Sequence, residues 1–177
     1  MPESSFQLRR GQTTDAAQLA AFAARTFTDA FAAANRPEDI AAYLPTAYGL
    51  SQQASELANP EIITLILEHD STIVAYAQVR RSAAPHCADT AAPAELWRFY
   101  VDQPWHGQGL APRLMAAVHD AAAELRGRTL WLGVWEKNER AIAFYTKCGF
   151  RDVGHHDFWV GADRQTDRIM VTEVRPR

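Results

Sequence analysis

Trp105-His106-Gly107-Gln108-Gly109-Leu110-Ala111-Pro112 places a glycine-bearing turn between two segments of opposite character. Upstream, Leu96-Trp97-Arg98-Phe99-Tyr100-Val101 is bulky and β-prone; downstream, apolar residues recur at helical spacing as Leu110, Leu114, Val118, Ala121, Ala122 and Leu125. A strand therefore feeds a loop that feeds a helix. The first N–H groups of a helix have no internal partner and carry the positive end of its dipole, so an anionic cofactor binds there when side chains leave room. Gly107, Gly109 and Ala111 leave that room, and Pro112 is tolerated in a first helical turn. A phosphate loop of the NTPase type would end in Gly-Lys-Ser/Thr, whereas this one continues Gly-Leu-Ala. A dinucleotide fingerprint would need a third glycine where Pro112 stands, and too few residues follow Glu136 to complete a doubly wound sheet. Taken alone, the glycines also satisfy an ordinary turn.

The next segment narrows these options. Leu130-Trp131-Leu132-Gly133-Val134 reads as a buried strand, followed by Trp135-Glu136-Lys137-Asn138 and a helix from Glu139 to Cys148. Asn138 suits the N-cap, Glu139 the positive helix end, and Gly149 the left-handed residue beyond the last turn. Together, the loop and the run Val134-Trp135-Glu136-Lys137-Asn138-Glu139-Arg140-Ala141-Ile142-Ala143-Phe144-Tyr145-Thr146-Lys147-Cys148-Gly149-Phe150 resemble the GCN5-related N-acetyltransferase (GNAT) family. The loop resembles that family's acetyl-CoA pyrophosphate loop, Arg/Gln-x-x-Gly-x-Gly/Ala, with Gly109 and Ala111 in register and His106 departing from Arg or Gln. The longer run resembles the pattern Asn-x-x-Ala-x-x-x-Tyr-x-x-x-Gly-Phe. The likeness covers residues 94–173 well and the preceding part by element order. Gly133-Val134-Trp135-Glu136-Lys137-Asn138 and the tail from Gly161 to Met170 resemble the bacterial PaiA type, whose members acetylate spermidine and spermine.

The resemblance implies one α/β (α+β) domain over residues 1–177, with a mixed, mainly antiparallel sheet and helices on both faces. Strands ending at Val101 and Val134 are expected to splay apart and admit acetyl-CoA, the co-substrate, with no metal. Phe99, Tyr100, Val101, His106, Gly107, Gln108, Gly109, Leu110, Ala111, Asn138 and Tyr145 are the implied cofactor-binding residues, and a homodimer is an allowed assembly. The implied reaction is direct attack of a primary amine on the thioester, with a polyamine favoured and another small amine or a protein N-terminus as alternatives. A non-catalytic acyl-CoA-binding regulator is the rival from another class. An alkylammonium of pKa ~10 must lose a proton before it attacks, so a base or water chain is required. Glu95, on the strand leading into the loop, is the candidate base, and an exposed strand-end carboxylate is its bland alternative. A strand N–H near Phe99 to Val101 is placed to stabilise the oxyanion, and Tyr145 to assist the departing thiolate.

Length and composition agree with one such domain: 177 residues, 47% hydrophobic and 22% charged. A net charge of −3 gives no general electrostatic reason for binding nucleic acid or a membrane surface, and it suits a small cationic acceptor. Cys87 and Cys148 are the two thiols, no apolar N-terminal signal or long apolar span is present, and the expected location is cytoplasmic. Cys148 reads as a packing residue.

Along the chain, Phe6-Gln7-Leu8-Arg9 alternates as a first strand, a helix is expected over 13–34, and Pro37 restarts another. Residues 51–57 read as a further helical turn or two, and 62–68 with 72–79 as an antiparallel hairpin. A small-residue loop covers 83–93. Two last strands are expected at 150–156 and 168–173, separated by a polar turn over 161–167. His155-His156-Asp157 has the residue types of a metal site, but neighbouring strand residues face opposite ways. The five tryptophans read as packing or as cleft lining. Asp29, Glu38 and Asp39 near the N-terminal helices, and Asp157, Asp163 and Asp167 near the last strands, are of a type that recognises ammonium groups, with solvated helix and turn chemistry the bland reading of each; Asp29, Glu38, Asp39 and Asp157 form the pool from which polyamine partners are expected.

Overall fold

The two apolar runs in the middle of the chain pair as the expected hairpin, β2 (Ile62–His69) and β3 (Thr72–Arg81). Its two-residue turn holds Asp70 and Ser71 at positive φ, which matches the right-handed twist of the strands. The computed structural model describes residues 6–88 and 90–177. The first five residues of the N-terminus, read as lacking an apolar signal, and Asp89 of the small-residue loop lie outside the described residues. Outward from the hairpin, β1 (Phe6–Arg10) joins β2 and β4 (Pro93–Val101) joins β3. With β5 (Thr129–Trp135), β6 (Arg151–Val160) and β7 (Asp163–Glu173) the sheet runs β1-β2-β3-β4-β5-β7-β6. β4 and β5 are parallel and every other neighbouring pair is antiparallel.

Helices cover both faces, as expected. On one, α1 (Ala16–Phe31), α2 (Pro37–Tyr48) and α3 (Leu50–Ala58) pack Leu19, Phe22, Ala23, Phe27, Ile40 and Tyr48 against Ile66, Ile73 and Tyr76 of the hairpin. The spacing of Leu19, Phe22, Ala23 and Phe27 forms one apolar helical stripe. The anticipated helix at 13–34 is α1 flanked by short 3-10 turns, Thr13–Asp15 and Ala32–Ala34. On the other face, α4 (Leu110–Glu124) and α5 (Glu139–Lys147) cover Leu65, Leu67, Val74, Leu130 and Leu132. Among the described residues no helix is long and apolar enough to cross a membrane.

One sequence expectation needs correction. Residues 163–167 are not part of a turn: Gly161 and Ala162 alone connect β6 to β7, and the strands extend to meet them. Gln165 and Asp167, inward positions of β7, are buried polar residues, so the alternation that marks a strand is hidden there. Gln165 binds Asn35 and Asp163, and the Ala162 N–H donates to Asp39 Oδ1 at 3.0 Å, which docks this hairpin on α2.

Two features of β4 position the site. Its pairing with β5 stops after Pro93–Thr129, Ala94–Leu130 and Glu95–Trp131, although both strands continue, so they part as expected. Against β3 its register slips: Gln78 pairs with Arg98 and Val79 with Leu96, leaving Trp97 as the extra residue of a bulge. Trp97 lies between two guanidiniums, Arg80 at 3.7 Å and Arg98 at 4.0 Å from the ring centre. Arg98 is itself buried, donating to Glu56, to Gln78 Oε1 at 2.7 Å and to the Ala47 carbonyl at 3.0 Å. These contacts tie α2 and α3 to the bulged strand.

Candidate active site

The parting of β4 from β5 leaves one edge of β4 unpaired beyond Glu95. The Asp102 N–H donates to Val74 on the β3 side, so strand alternation turns the backbone groups of Phe99 and Val101 toward the open edge and those of Tyr100 toward β3. The Tyr100 ring stacks on Tyr76, centroids 5.7 Å apart, on the α1–α3 face. Phe99 points the other way, against Phe144 and Tyr145 of α5.

At the end of β4, Asp102 caps a 3-10 turn (Gln103–Trp105) and the chain enters the glycine loop. His106 is consumed within the turn, since its N–H donates to the Gln103 carbonyl at 3.1 Å and its Nε2 meets the Val101 carbonyl at 2.7 Å. It fastens the loop to the open strand edge. Gly107 and Gly109 have φ of 78° and 79°, and a Cβ at either would meet nothing within 4 Å, so the loop is open on its outer side. Among the described residues no acceptor takes the N–H groups of Gly107, Gln108, Gly109, Leu110 or Ala111. Five unpaired donors at the start of a fifteen-residue helix form an anion site, and a pyrophosphate fits it.

On the far side of the gap, Asn138 caps α5 through its Oδ1, which accepts the Ala141 N–H at 3.1 Å. Its side-chain NH2 remains for another partner. Tyr145 follows two turns later, 9% exposed, with Phe99, Phe144 and Phe150 around its ring. Burial pushes its hydroxyl well up, so it keeps its proton and acts as a hydrogen-bond donor.

The α1–α3 face of the same fork is lined differently. Glu95 is 7% exposed and accepts a 2.6 Å hydrogen bond from Arg80 Nε. Gly133 is exposed in the middle of β5, and a Cβ there would meet Asp167 Oδ2 at 3.0 Å and His156 Nε2 at 3.3 Å. Phe31 packs on Trp135 and Tyr43 on Phe158 around this opening. Burial pushes Asp167 up to about 6 and pushes His156 down, with Glu95 and Asp157 acting against the latter shift.

The Acetyltransferase (GNAT) family model matches residues 24–150 of this chain. The chain belongs to the GNAT family. It is 38% identical over 161 residues to an uncharacterized N-acetyltransferase of Mycobacterium bovis, covering 91% of this chain and 99% of that protein. A spermine/spermidine N(1)-acetyltransferase of Bacillus subtilis matches at 31% over 78 residues, 44% of this chain and 47% of that protein. The crystal structure of a PaiA N-acetyltransferase from Thermoplasma acidophilum in complex with coenzyme A shares the fold. Its TM-score is 0.76 at 20% identity, over 96% of this chain and 99% of that one. This GNAT protein is therefore an acyl-CoA-dependent N-acetyltransferase.

Of the expected cofactor residues, the structure places Phe99, Val101 and the glycine loop along the open edge of β4, and Asn138 and Tyr145 across the gap on α5; Tyr100 turns its ring away, and Glu95 lies on the floor of the fork. It does not gather the expected acceptor carboxylates as bare anions. Asp29 faces Arg25 at 3.7 Å, Glu38 and Asp39 face Arg36 at 3.3 and 2.8 Å, and Asp157 faces Arg164 at 2.7 Å. His155, His156 and Asp157 alternate along β6, and no cluster of three metal-binding side chains occurs among the described residues. From the sequence, Asp167 is weighed as an ammonium-binding carboxylate with a turn favoured, and Gly133 is not singled out as a site residue. The signal available was a lone glycine inside a strand-like run, which marks close approach of another group.

Proposed function

We propose that this acetyltransferase moves the acetyl group of acetyl-CoA directly onto the primary amine of a small molecule, with polyamines such as spermidine and spermine the favoured acceptors. The observation that carries this reading is the fork itself. One side offers unpaired backbone donors to an anion; the other offers an aromatic-walled opening floored by carboxyl groups. In this reading Gly107, Gln108, Gly109, Leu110 and Ala111 hold the pyrophosphate through their N–H groups, while His106 fixes the loop. Asn138 lies along the pantetheine arm. The open edge at Phe99 and Val101 faces the thioester, where an N–H stabilises the oxyanion. Tyr145 donates a hydrogen bond to the departing sulfur. Full proton transfer from a phenol raised by burial to a thiolate of pKa ~8.5 runs uphill, so the contribution is the hydrogen bond. Glu95, paired with Arg80 Nε at 2.6 Å, lies beneath the amine.

The partial match to the Bacillus subtilis enzyme and the fold shared with PaiA support a polyamine. The arginine partners of Asp29, Glu38, Asp39 and Asp157 favour a second reading, an acceptor with a single ammonium, such as a short amine or a protein N-terminus. A panel of polyamines, monoamines of matched length and peptides, with thiol release as readout, separates the two. The polyamine reading expects spermidine to outcompete the monoamine, with an apparent KM that rises with salt more than that of acetyl-CoA. Preference for a monoamine or a peptide N-terminus over every polyamine rejects it.

A further inference from the structure

Gly133 stands two residues beyond the last β4–β5 pair, where a side chain would fill the space between Asp167 Oδ2 and His156 Nε2. Asp167 reaches this point from β7, opposite Trp135 in register, and is only 8% exposed. Among the described residues none donates a hydrogen bond to its carboxyl group, and His156 Nε2 is 3.9 Å away. A nitrogen placed between those two atoms lies within hydrogen-bond reach of both. A buried carboxyl group without partners destabilises a fold, so its presence at an open floor points to use.

We propose that Asp167 is the group that accepts the proton of the acceptor ammonium, with His156 passing that proton on to solvent. The assignment rests on the amine-acetyltransferase reading above. The first N–H bond of the ammonium breaks as Asp167 takes the proton, and the freed lone pair forms the C–N bond at the thioester carbonyl. The second proton leaves nitrogen as the C–S bond breaks and ends on the coenzyme A sulfur. Transfer through His156, partly exposed at the mouth, returns Asp167 to its carboxylate. The ionisable groups acting on the pair are Glu95 on β4, Tyr43 on α2 and Asp157 on β6, the last paired with Arg164 of β7. Glu95 is engaged by Arg80 and Asp157 by Arg164, which among these carboxyl groups leaves Asp167 open to the amine.

The test measures thiol release across pH for the wild type, Asp167→Asn, Glu95→Gln and His156→Gln, with the best amine of the panel. It is repeated with trifluoroethylamine, an amine already neutral at the assay pH. Asp167→Asn should lose roughly 100-fold in turnover with the ammonium substrate and lose the acidic limb of its pH profile. With the neutral amine it should stay within roughly threefold of wild type, because no proton needs to be accepted before attack. Equal losses with both amines, or a retained acidic limb, overturn the assignment. Should Asp167→Asn not fold, carbon-13 NMR titration of the wild-type carboxyl decides. A midpoint near 6 that falls when the amine binds supports the proposal, and an ordinary carboxylate midpoint overturns it. A wild type that acetylates no amine rejects the acceptor reading itself and this assignment with it, a result distinct from one confined to the variant.

Discussion

The two sides of the fork are made of different material. The side proposed for the cofactor is largely backbone: N–H groups of the glycine loop and the start of α4, with an open strand edge beside them. The side proposed for the acceptor is side chains drawn from α1, α2 and β4 through β7, several of them charged and buried. Backbone donors need only a local conformation, so they tolerate many neighbours. Buried side chains need partners, and each depends on the others. The acceptor half should therefore be the more fragile to single substitutions and the more sensitive to pH.

The largest effect is expected where this dependence is greatest. Arg98→Met leaves Glu56, 3% exposed, without its guanidinium and also removes the tie to Gln78 and the Ala47 carbonyl. Stability should fall by about 3–5 kcal/mol in denaturant titration, the cost of an uncompensated buried charge. The double variant with Glu56→Leu should recover much of that loss. A single variant within about 1 kcal/mol of wild type would show that the buried pair does not hold α3 to the bulge.

Asp167→Asn should move stability the other way. The folded-state value near 6 exceeds the ordinary 3.8, so between those pH values the folded protein binds a proton that the unfolded chain has lost. That binding makes the wild type lose stability as pH rises through the window. The variant has no such loss, so it should be more stable by about 3 kcal/mol well above pH 6, with the difference vanishing below pH 4. A pH-independent difference would remove the buried-carboxyl account of the acceptor side.

The unequal legibility of the two sides has the same origin. Gly107, Gly109 and Pro112 announce a helix start within eight consecutive residues, and Asn138, Glu139 and Gly149 bracket α5 by local capping rules. The loop and the helix caps of that side could thus be read from contiguous sequence. The pairing of Arg80 with Glu95, of Arg98 with Glu56, and the meeting of Asp167 with His156 join residues 15, 42 and 11 positions apart. No local spacing reports them. Asp167 was further disguised because Asp163, Gln165 and Asp167 occupy alternate positions on β7, which makes a strand imitate a polar turn.

On the backbone side, Gly109→Val should act on the ligand more than on the fold. A valine at φ 79° is strained, yet its Cβ would meet no protein atom within 4 Å. The added branches occupy the open space over the unpaired N–H groups, so acetyl-CoA affinity measured by calorimetry should drop at least about tenfold. Unchanged affinity in a folded variant returns the loop to the role of an ordinary turn.

The smallest change tests Tyr145, the buried side chain proposed to reach the departing sulfur. Tyr145→Phe preserves the ring contacts with Phe99, Phe144 and Phe150 and removes only a hydroxyl. If that hydroxyl steadies the departing sulfur, the interaction exists in the transition state and is weak in the ground state. Turnover should fall roughly tenfold while acetyl-CoA affinity stays near that of the wild type. Because burial keeps the phenol protonated, the loss should be the same across the neutral range, unlike the pH-dependent loss expected of Asp167→Asn. A Tyr145→Phe variant that turns over at the wild-type rate with chemistry limiting would leave Tyr145 as a packing residue.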